Sequence, residues 1–470
     1  MTAPHRERGS LEHGPGVLVA ALSSAFGVAL LQGTGLLDAA IRADAITGTS
    51  DTVAELLRVT SVVFVAIAVY SGAVVTTNTF SVIVAGRVRA IALRRLLGST
   101  ARAERGAVAR EGLLVGVAGG ALGLVVGTAG VAGIAALARV AGVLQPVPYS
   151  YADPEALLPA AAVALTTWLA AVVGSRRVLA VTPMQALGGA EEASEEETRS
   201  SRLRSGAAVA LVLTGTALLV GGVTVGATSS SGLYPAFLGG VVSFTGVVLG
   251  AHLVIPRALR LAGLLMGASP TSRLAAENAV RHPQRSTRST LGLLVSVTLI
   301  TTFGVATRTL GRMLEIAAGR DPGYYAGVEP VLTAVPAVFS VLIGFSAVIA
   351  GVGLVNSLSL GVLQRTRELG LLRALGFSTR QLRRMVLAES GQLVLTAVAL
   401  GLVLGTVYGW AGAHSLIGAA RDVPGLLFLG VPWTLLAVVV AGGVLLTLLA
   451  SVVPSRRATR VAPVEALGVE

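Results

Sequence analysis

Residues 78–111 read NTFSVIVAGRVRAIALRRLLGSTARAERGAVARE, and residues 356–389 read NSLSLGVLQRTRELGLLRALGFSTRQLRRMVLAE. The two stretches superpose without a gap at an offset of 278, with 13 of 34 positions identical. The shared positions include Asn78/Asn356, Arg87/Arg365, Arg89/Arg367, Arg95/Arg373, Leu97/Leu375, Gly98/Gly376, Arg102/Arg380, Arg105/Arg383 and Glu111/Glu389. Each copy begins at the end of one apolar run and finishes at the start of the next. The charged middle therefore reads as a short loop between two membrane helices, present in duplicate. A duplicated loop suggests two equivalent docking points for a two-fold partner.

The rest of the chain supports a membrane setting. Of 470 residues, 53% are hydrophobic and 13% charged, against about 25% charged in soluble proteins. Several apolar runs exceed the roughly 20 residues that cross a bilayer. The pattern predicts ten spans, near 17–37, 57–84, 108–138, 155–175, 206–227, 235–259, 290–310, 331–360, 385–410 and 432–454. The first is too long for a signal peptide and is read as a retained helix. With the N-terminus inside, the inner segments hold 29 Arg and the outer segments seven, which predicts an inner-membrane protein with both termini cytoplasmic.

The same composition excludes several function classes. The net charge is +12, but the Arg clusters flank membrane spans, which argues against nucleic acid. Lys is absent, so the chain lacks the lysine that a Walker A loop places on the β/γ-phosphates. Any ATPase would be a separate subunit. Cys is absent and the five His show no ligand spacing, so no metal centre is expected. An ion-driven transporter would carry Asp, Glu or His at mid-membrane depth, and only His252 is a candidate. There is no Ser/His/Asp grouping, no His-Glu-x-x-His and no paired intramembrane carboxylate, so no enzyme is expected.

The repeat extends past the loop. Ser175-Arg176-Arg177 and Pro183 to Gly188 match Ser455-Arg456-Arg457 and Pro463 to Gly468 at offset 280, and Phe26-Gly27-Val28 recurs as Phe303-Gly304-Val305. The organisation read from this is a four-span repeat over 1–190, an acidic linker and two-span insert over 191–265, and a second four-span repeat over 266–470. Both repeats enter from the same side, so they are parallel. The outer loops are short, and none is long enough for a separate domain.

Within the second loop, Glu368 to Leu375 reads as a short helix whose leucines recur at helical spacing. Gly376 is placed to end it, and Ser378 and Gln381 are spaced as a capping box for the next helix. In the first copy Thr100 is followed three residues later by Ala103, and the box is lost. Contact with anionic lipid is the plainer reading of such a loop. Lipid contact needs charge, however, and not a shared Leu-x-Arg-x-Leu-Gly order, so a helix offered to a protein partner is preferred.

The run Gln364-Arg365-Thr366-Arg367-Glu368-Leu369-Gly370-Leu371-Leu372-Arg373-Ala374-Leu375-Gly376 resembles the FtsX-like (MacB-type) permease domain of ATP-binding-cassette transporters. The ending from Ser455 to Leu467 resembles that family's ending, and Ala275 to Arg285 its amphipathic lead-in helix. The resemblance implies an all-α polytopic permease working with two copies of an ATP-binding-cassette ATPase. The permease itself would bind no cofactor, and ATP and Mg would belong to the ATPase. It implies export or extraction of a hydrophobic or amphiphilic substrate. The alternative is a non-transporting subunit that passes ATPase motion to an external partner protein. Carried over, the ATPase-coupling residues are Arg87, Arg89, Arg95, Gly98, Arg102 and Arg105 in one copy. In the other they are Arg365, Arg367, Glu368, Arg373, Gly376, Arg380 and Arg383. Repeat one departs from the pattern, with Ala90, Ala92 and Arg94 where repeat two has Glu368, Gly370 and Leu372, which implies unequal ATPase contacts.

Two glycine ladders complete the reading. Gly119, Gly123 and Gly127 line one face of the third span, and Gly401, Gly405 and Gly409 one face of the ninth. Small residues four apart allow close helix packing. At the loop's offset, Gly123 pairs with Gly401 and Gly127 with Gly405.

Overall fold

The computed structural model describes residues 5–42, 88–140, 148–180, 195–265, 283–321, 375–419 and 429–458, with isolated residues 66, 69, 70, 73, 74, 77, 277, 344 and 425 between them. The described residues are helical, with loops and two short 3-10 turns between the helices. The helices are α1 (His5–Arg42), α2 (Val88–Leu96), α3 (Ala101–Val140), α4 (Leu157–Ala180), α5 (Glu195–Gly226), α6 (Leu233–Leu249), α7 (Ala251–Leu265), α8 (Pro283–Arg320), α9 (Thr379–Ile417) and α10 (Trp433–Ala458). Among the described residues, six helices are long and apolar enough to cross a membrane, and the bent pair α6–α7 makes up to seven. The described residues make up an all-helical, polytopic membrane protein. The expected spans at 57–84 and 331–360 lie largely outside the described residues.

One expected span is not continuous. The apolar run 235–259 breaks at Gly250, where α6 and α7 meet at 69°. Gly250 leaves the helical conformation at the end of α6, and its N–H bonds back to Gly246 at 2.8 Å. Pro256 lies inside α7. Beyond the bend, Ala251, Ile255, Leu259 and Ala262 form a buried stripe at helical spacing. Ala251, Ile255 and Leu259 of that stripe pack on Leu293, Leu294 and Val297 of α8 and on Leu393, Val394, Ala397 and Val398 of α9.

The helices pack in two similar sets. α1 packs on α3 and α3 on α4, while α8 packs on α9 and α9 on α10. The first helix of each set is the most enclosed, with 67% of its apolar window buried in both α1 and α8. Phe26 of α1 and Phe303 of α8 share one buried cluster with Phe244 of α6. Tyr70 and Tyr408 each meet Phe244 edge-on, with ring centroids 6.3 and 6.2 Å away. The two tyrosine hydroxyls also bond α6, to Thr245 at 2.8 Å and to Ser243 at 3.0 Å. The pair α5–α6 thus inserts into the centre and also packs on α9.

Polar side chains inside these helices are mostly satisfied locally. Thr34, Thr290, Thr298 and Thr302 each donate to the carbonyl one turn back, at 2.7–2.8 Å. In an apolar surround this return bond removes the cost of an unpaired hydroxyl. Gln32 instead ties elements together, donating to Thr128 Oγ1 and to the Tyr151 carbonyl, each at 3.1 Å.

Candidate functional site

In the first copy the described residues fold as an elbow that feeds a long helix, and in the second the described residues, from Leu375 on, form the turn that opens another. In the first copy, the Ser99 N–H reaches the Arg94 carbonyl at 3.0 Å and the Gly98 N–H reaches Arg95 at 3.1 Å. This double closure terminates α2 through a left-handed residue. Gly98 supplies it with φ of 104°, and Gly376 does so in the second copy with φ of 96°. Nothing lies within 4 Å of the Cβ that either glycine lacks. The backbone conformation, not space, selects glycine. Gly98→Ala and Gly376→Ala are each expected to cost about 1 kcal/mol, read as a lowered unfolding midpoint in detergent.

The far side of each elbow is capped differently. Ser378 Oγ accepts from the Gln381 N–H at 3.3 Å, and Gln381 Oε1 accepts from the Ser378 N–H at 2.8 Å. That is a full capping box at the start of α9. In the first copy Thr100 Oγ1 accepts from the Ala103 N–H at 3.2 Å, without the return bond. Glu104 makes up the difference. Its carboxylate accepts from Ser99 Oγ at 2.8 Å and pairs with Arg94 at 3.3 Å, pulling α2 against the first turn of α3. The equivalent position in the second copy is Leu382, only 2% exposed. Where one copy has an ion pair, the other thus has a buried apolar side chain.

The arginines sit at informative places. Arg94 and Arg95 occupy the last turn of α2, where the helix dipole favours cations. Arg102 and Arg105, and likewise Arg380 and Arg383, occupy the first two turns of α3 and α9. In the first turn of a helix positive charge opposes the dipole, so Arg102 and Arg380 are not placed there to stabilise their own helices. Arg89 lies in α2. Arg87, Arg365, Arg367, Glu368 and Arg373 lie outside the described residues.

Two leucines were not singled out by the charge pattern. Leu97 is 81% exposed and Leu375 71%, each immediately before its positive-φ glycine. Leu93 and Leu96 of α2 are also about half exposed, at 53% and 49%. Their signal in the sequence is the identity Leu97/Leu375, and it becomes legible once neither side chain is seen to pack on its own fold.

The glycine ladders face the first helix of each set. A Cβ on Gly119, Gly123 or Gly127 would meet α1 between Val17 and Val28. One on Gly401, Gly405 or Gly409 would meet α8 between Val297 and Ala306. The contacts correct the pairing expected from the loop's offset. Gly127 meets Ala25 and Val28, whereas Gly409 meets Thr302 and Val305, so Gly127 corresponds to Gly409 and not to Gly405. No group of His, Asp and Glu among the described residues is placed to hold a metal ion.

Comparison with known proteins bears on this arrangement. A model of the FtsX-like permease C-terminal family matches residues 62–183 and again 340–463, together more than half of the chain. A segment covering 31% of the chain is 32% identical to an uncharacterized ABC transporter permease, YknZ of Bacillus subtilis, and spans 34% of that protein. Another, covering 27%, is 33% identical to the macrolide export ATP-binding/permease protein MacB of Nitrobacter winogradskyi and spans 18% of it. A third is 32% identical to the ABC transporter permease YtrF of Bacillus subtilis, over 24% of this chain and 28% of that one. The matched segments thus span about a third or less of these relatives' own length. A multi-pass helical protein with two matched elbows is the class these features define. The chain belongs to the FtsX-like permease family, and its relatives are ABC transporter permeases.

Proposed function

We propose that this chain is the permease subunit of an ABC transporter and that two copies of a separate ATPase dock on its two elbows. It comprises ten spans, as parallel four-span repeats over 1–190 and 266–470 around a two-span insert over 191–265, with both elbows and both termini in the cytoplasm. ATP and Mg act in the partner, since this chain has no Lys for a phosphate loop. Closure of the ATPase pair pushes the elbows, the two sets of helices rock, and a hydrophobic or amphiphilic substrate is driven outward.

The observation that carries this reading is the elbow itself. Both copies present an exposed leucine ahead of a left-handed glycine, followed by an arginine that opposes its own helix dipole. A large apolar side chain left exposed among cations fits a protein partner better than lipid headgroups. The family match falls once on each copy, and MacB, by its name, exports macrolides.

The test is the double substitution Arg95→Glu with Arg373→Glu, assayed with the ATPase subunit in proteoliposomes. Substrate-stimulated ATP hydrolysis and transport are expected to fall at least ten-fold while basal hydrolysis by the ATPase persists. Transport and stimulation at the parent level would refute the docking role of the elbows.

A further inference from the structure

We infer that the two docking elbows stand at different depths, with the Gly376 elbow one helical turn farther from the membrane than the Gly98 elbow. A two-fold ATPase pair would then meet them unequally. This rests on the docking reading for its partner, but the geometry is a property of the chain alone.

The two sets of helices share a common level. Phe26-Gly27-Val28 and Phe303-Gly304-Val305 are the same motif on α1 and α8, and both phenylalanines lie in the cluster around Phe244. Measured from that phenylalanine, the glycine contacts coincide one for one. Gly119 meets Ala20, and Gly401 meets Val297, each six residues before its phenylalanine. Gly123 meets Ser24 and Gly405 meets Thr301, each two before. Gly127 meets Val28 and Gly409 meets Val305, each two after.

The same ladder lies at different distances from the two elbows. Gly119 follows Gly98 by 21 residues, whereas Gly401 follows Gly376 by 25. α3 runs unbroken from Ala101 and α9 from Thr379, so the ladder starts 18 residues into one helix and 22 into the other. Four residues of α-helix are about 6 Å. Four more residues of unbroken helix thus lie between the start of α9 and its ladder than between the start of α3 and its own.

The insert packs on α9. At the outer end of α9, Gly226 of α5 lies against His414 and Ser415, and Gly418 lies against Gly226. Leu219 and Val223 of α5 are buried with Ala411. The main neighbours of α3 are α1 and α4 instead, and 22% of its apolar window is buried against 44% for α9.

The sequence has no cysteine, which makes the measurement direct. Single cysteines are placed on exposed positions of the full chain: Ala103, Arg110 and Val117 of α3, and Gln381, Arg384 and Leu395 of α9, with intervening positions filled in. Each is spin-labelled in lipid nanodiscs, and accessibility to oxygen is compared with that to a water-soluble nickel chelate. The crossover from water to lipid is expected four residues later, counted from Gly376, than when counted from Gly98. Crossover at the same count on both helices would overturn the inference. Variants that do not elute as the parent does are replaced by the neighbouring exposed position. No ATPase enters this measurement. Failure of the docking reading would show separately, as unchanged coupling in the Arg95→Glu, Arg373→Glu protein.

Discussion

Leucine in place of Gly123 or Gly405 is expected to be among the most damaging single changes in this protein. At Gly123 a Cβ alone meets the Ala21 carbonyl, Ser24 Cβ and, at 2.7 Å, the Ala25 nitrogen. At Gly405 it meets Thr301 Cβ and, at 2.7 Å, the Thr298 carbonyl. These neighbours are backbone and Cβ atoms, which no rotamer change moves, so α3 or α9 must move away from the helix it packs on. Overpacking a core costs about 1–3 kcal/mol where side chains can yield, and these sites should reach or exceed the top of that range. Alanine should be intermediate. Gly133 provides the control, since it lies on α3 with nothing within 4 Å, and Gly133→Leu should be near neutral. Thermal unfolding in detergent, read by loss of the monodisperse peak, decides it. Equal midpoints for Gly123→Leu and Gly133→Leu would show that the ladder is not a packing face.

The second large effect concerns the elbows. Leu97→Asp combined with Leu375→Asp is expected to abolish association with the ATPase subunit and leave the permease folded. Burying a leucine contributes about 2 kcal/mol, so each ATPase copy loses roughly thirty-fold in affinity at its elbow and the pair roughly a thousand-fold. The fold should tolerate the change, because Leu97 and Leu375 are 81% and 71% exposed. The checks are the dissociation constant measured with purified ATPase and the unfolding midpoint of the permease alone. Parent-like affinity in the double variant would remove the leucines from the interface. The single variants carry further information, because elbows at unequal depth should lose affinity unequally.

Part of the elbow was legible in the sequence because its signals are local. Ser378 with Gln381 as a capping box depends on residues three apart, and the geometry follows that spacing. Gly376 takes the left-handed conformation expected of a terminator, while the helix expected over 368–375 lies outside the described residues but for its last position. The break at Gly250 was not legible from hydropathy, since the run 235–259 stays apolar through it. Its trace was a change of pattern, from the uniformly apolar α6 to a striped α7 carrying Arg257 and Arg260. The glycine pairing was misread for a physical reason. A ladder with a four-residue period keeps its pattern when shifted by one turn, so identity cannot fix its register, and only contacts with α1 and α8 do. Glu104 was missed because its partners, Ser99 and Arg94, face it only once the elbow has folded.

The long helices have a mechanical consequence. α3 and α9 are unbroken for 40 and 39 residues, about 60 Å, or twice the thickness of the hydrocarbon layer. Each is a stiff rod with one end at an elbow and the other across the bilayer. The far end of α9 is geared to the insert through Gly226 and Gly418, and its middle is geared through Tyr408. Among the described residues the main neighbours of the α3 rod are α1 and α4. If the proposed ATPase pair delivers an equal stroke to both elbows, the α9 rod carries the load of the insert that the described neighbours of α3 do not share, and the asymmetry of the output lies in the gearing.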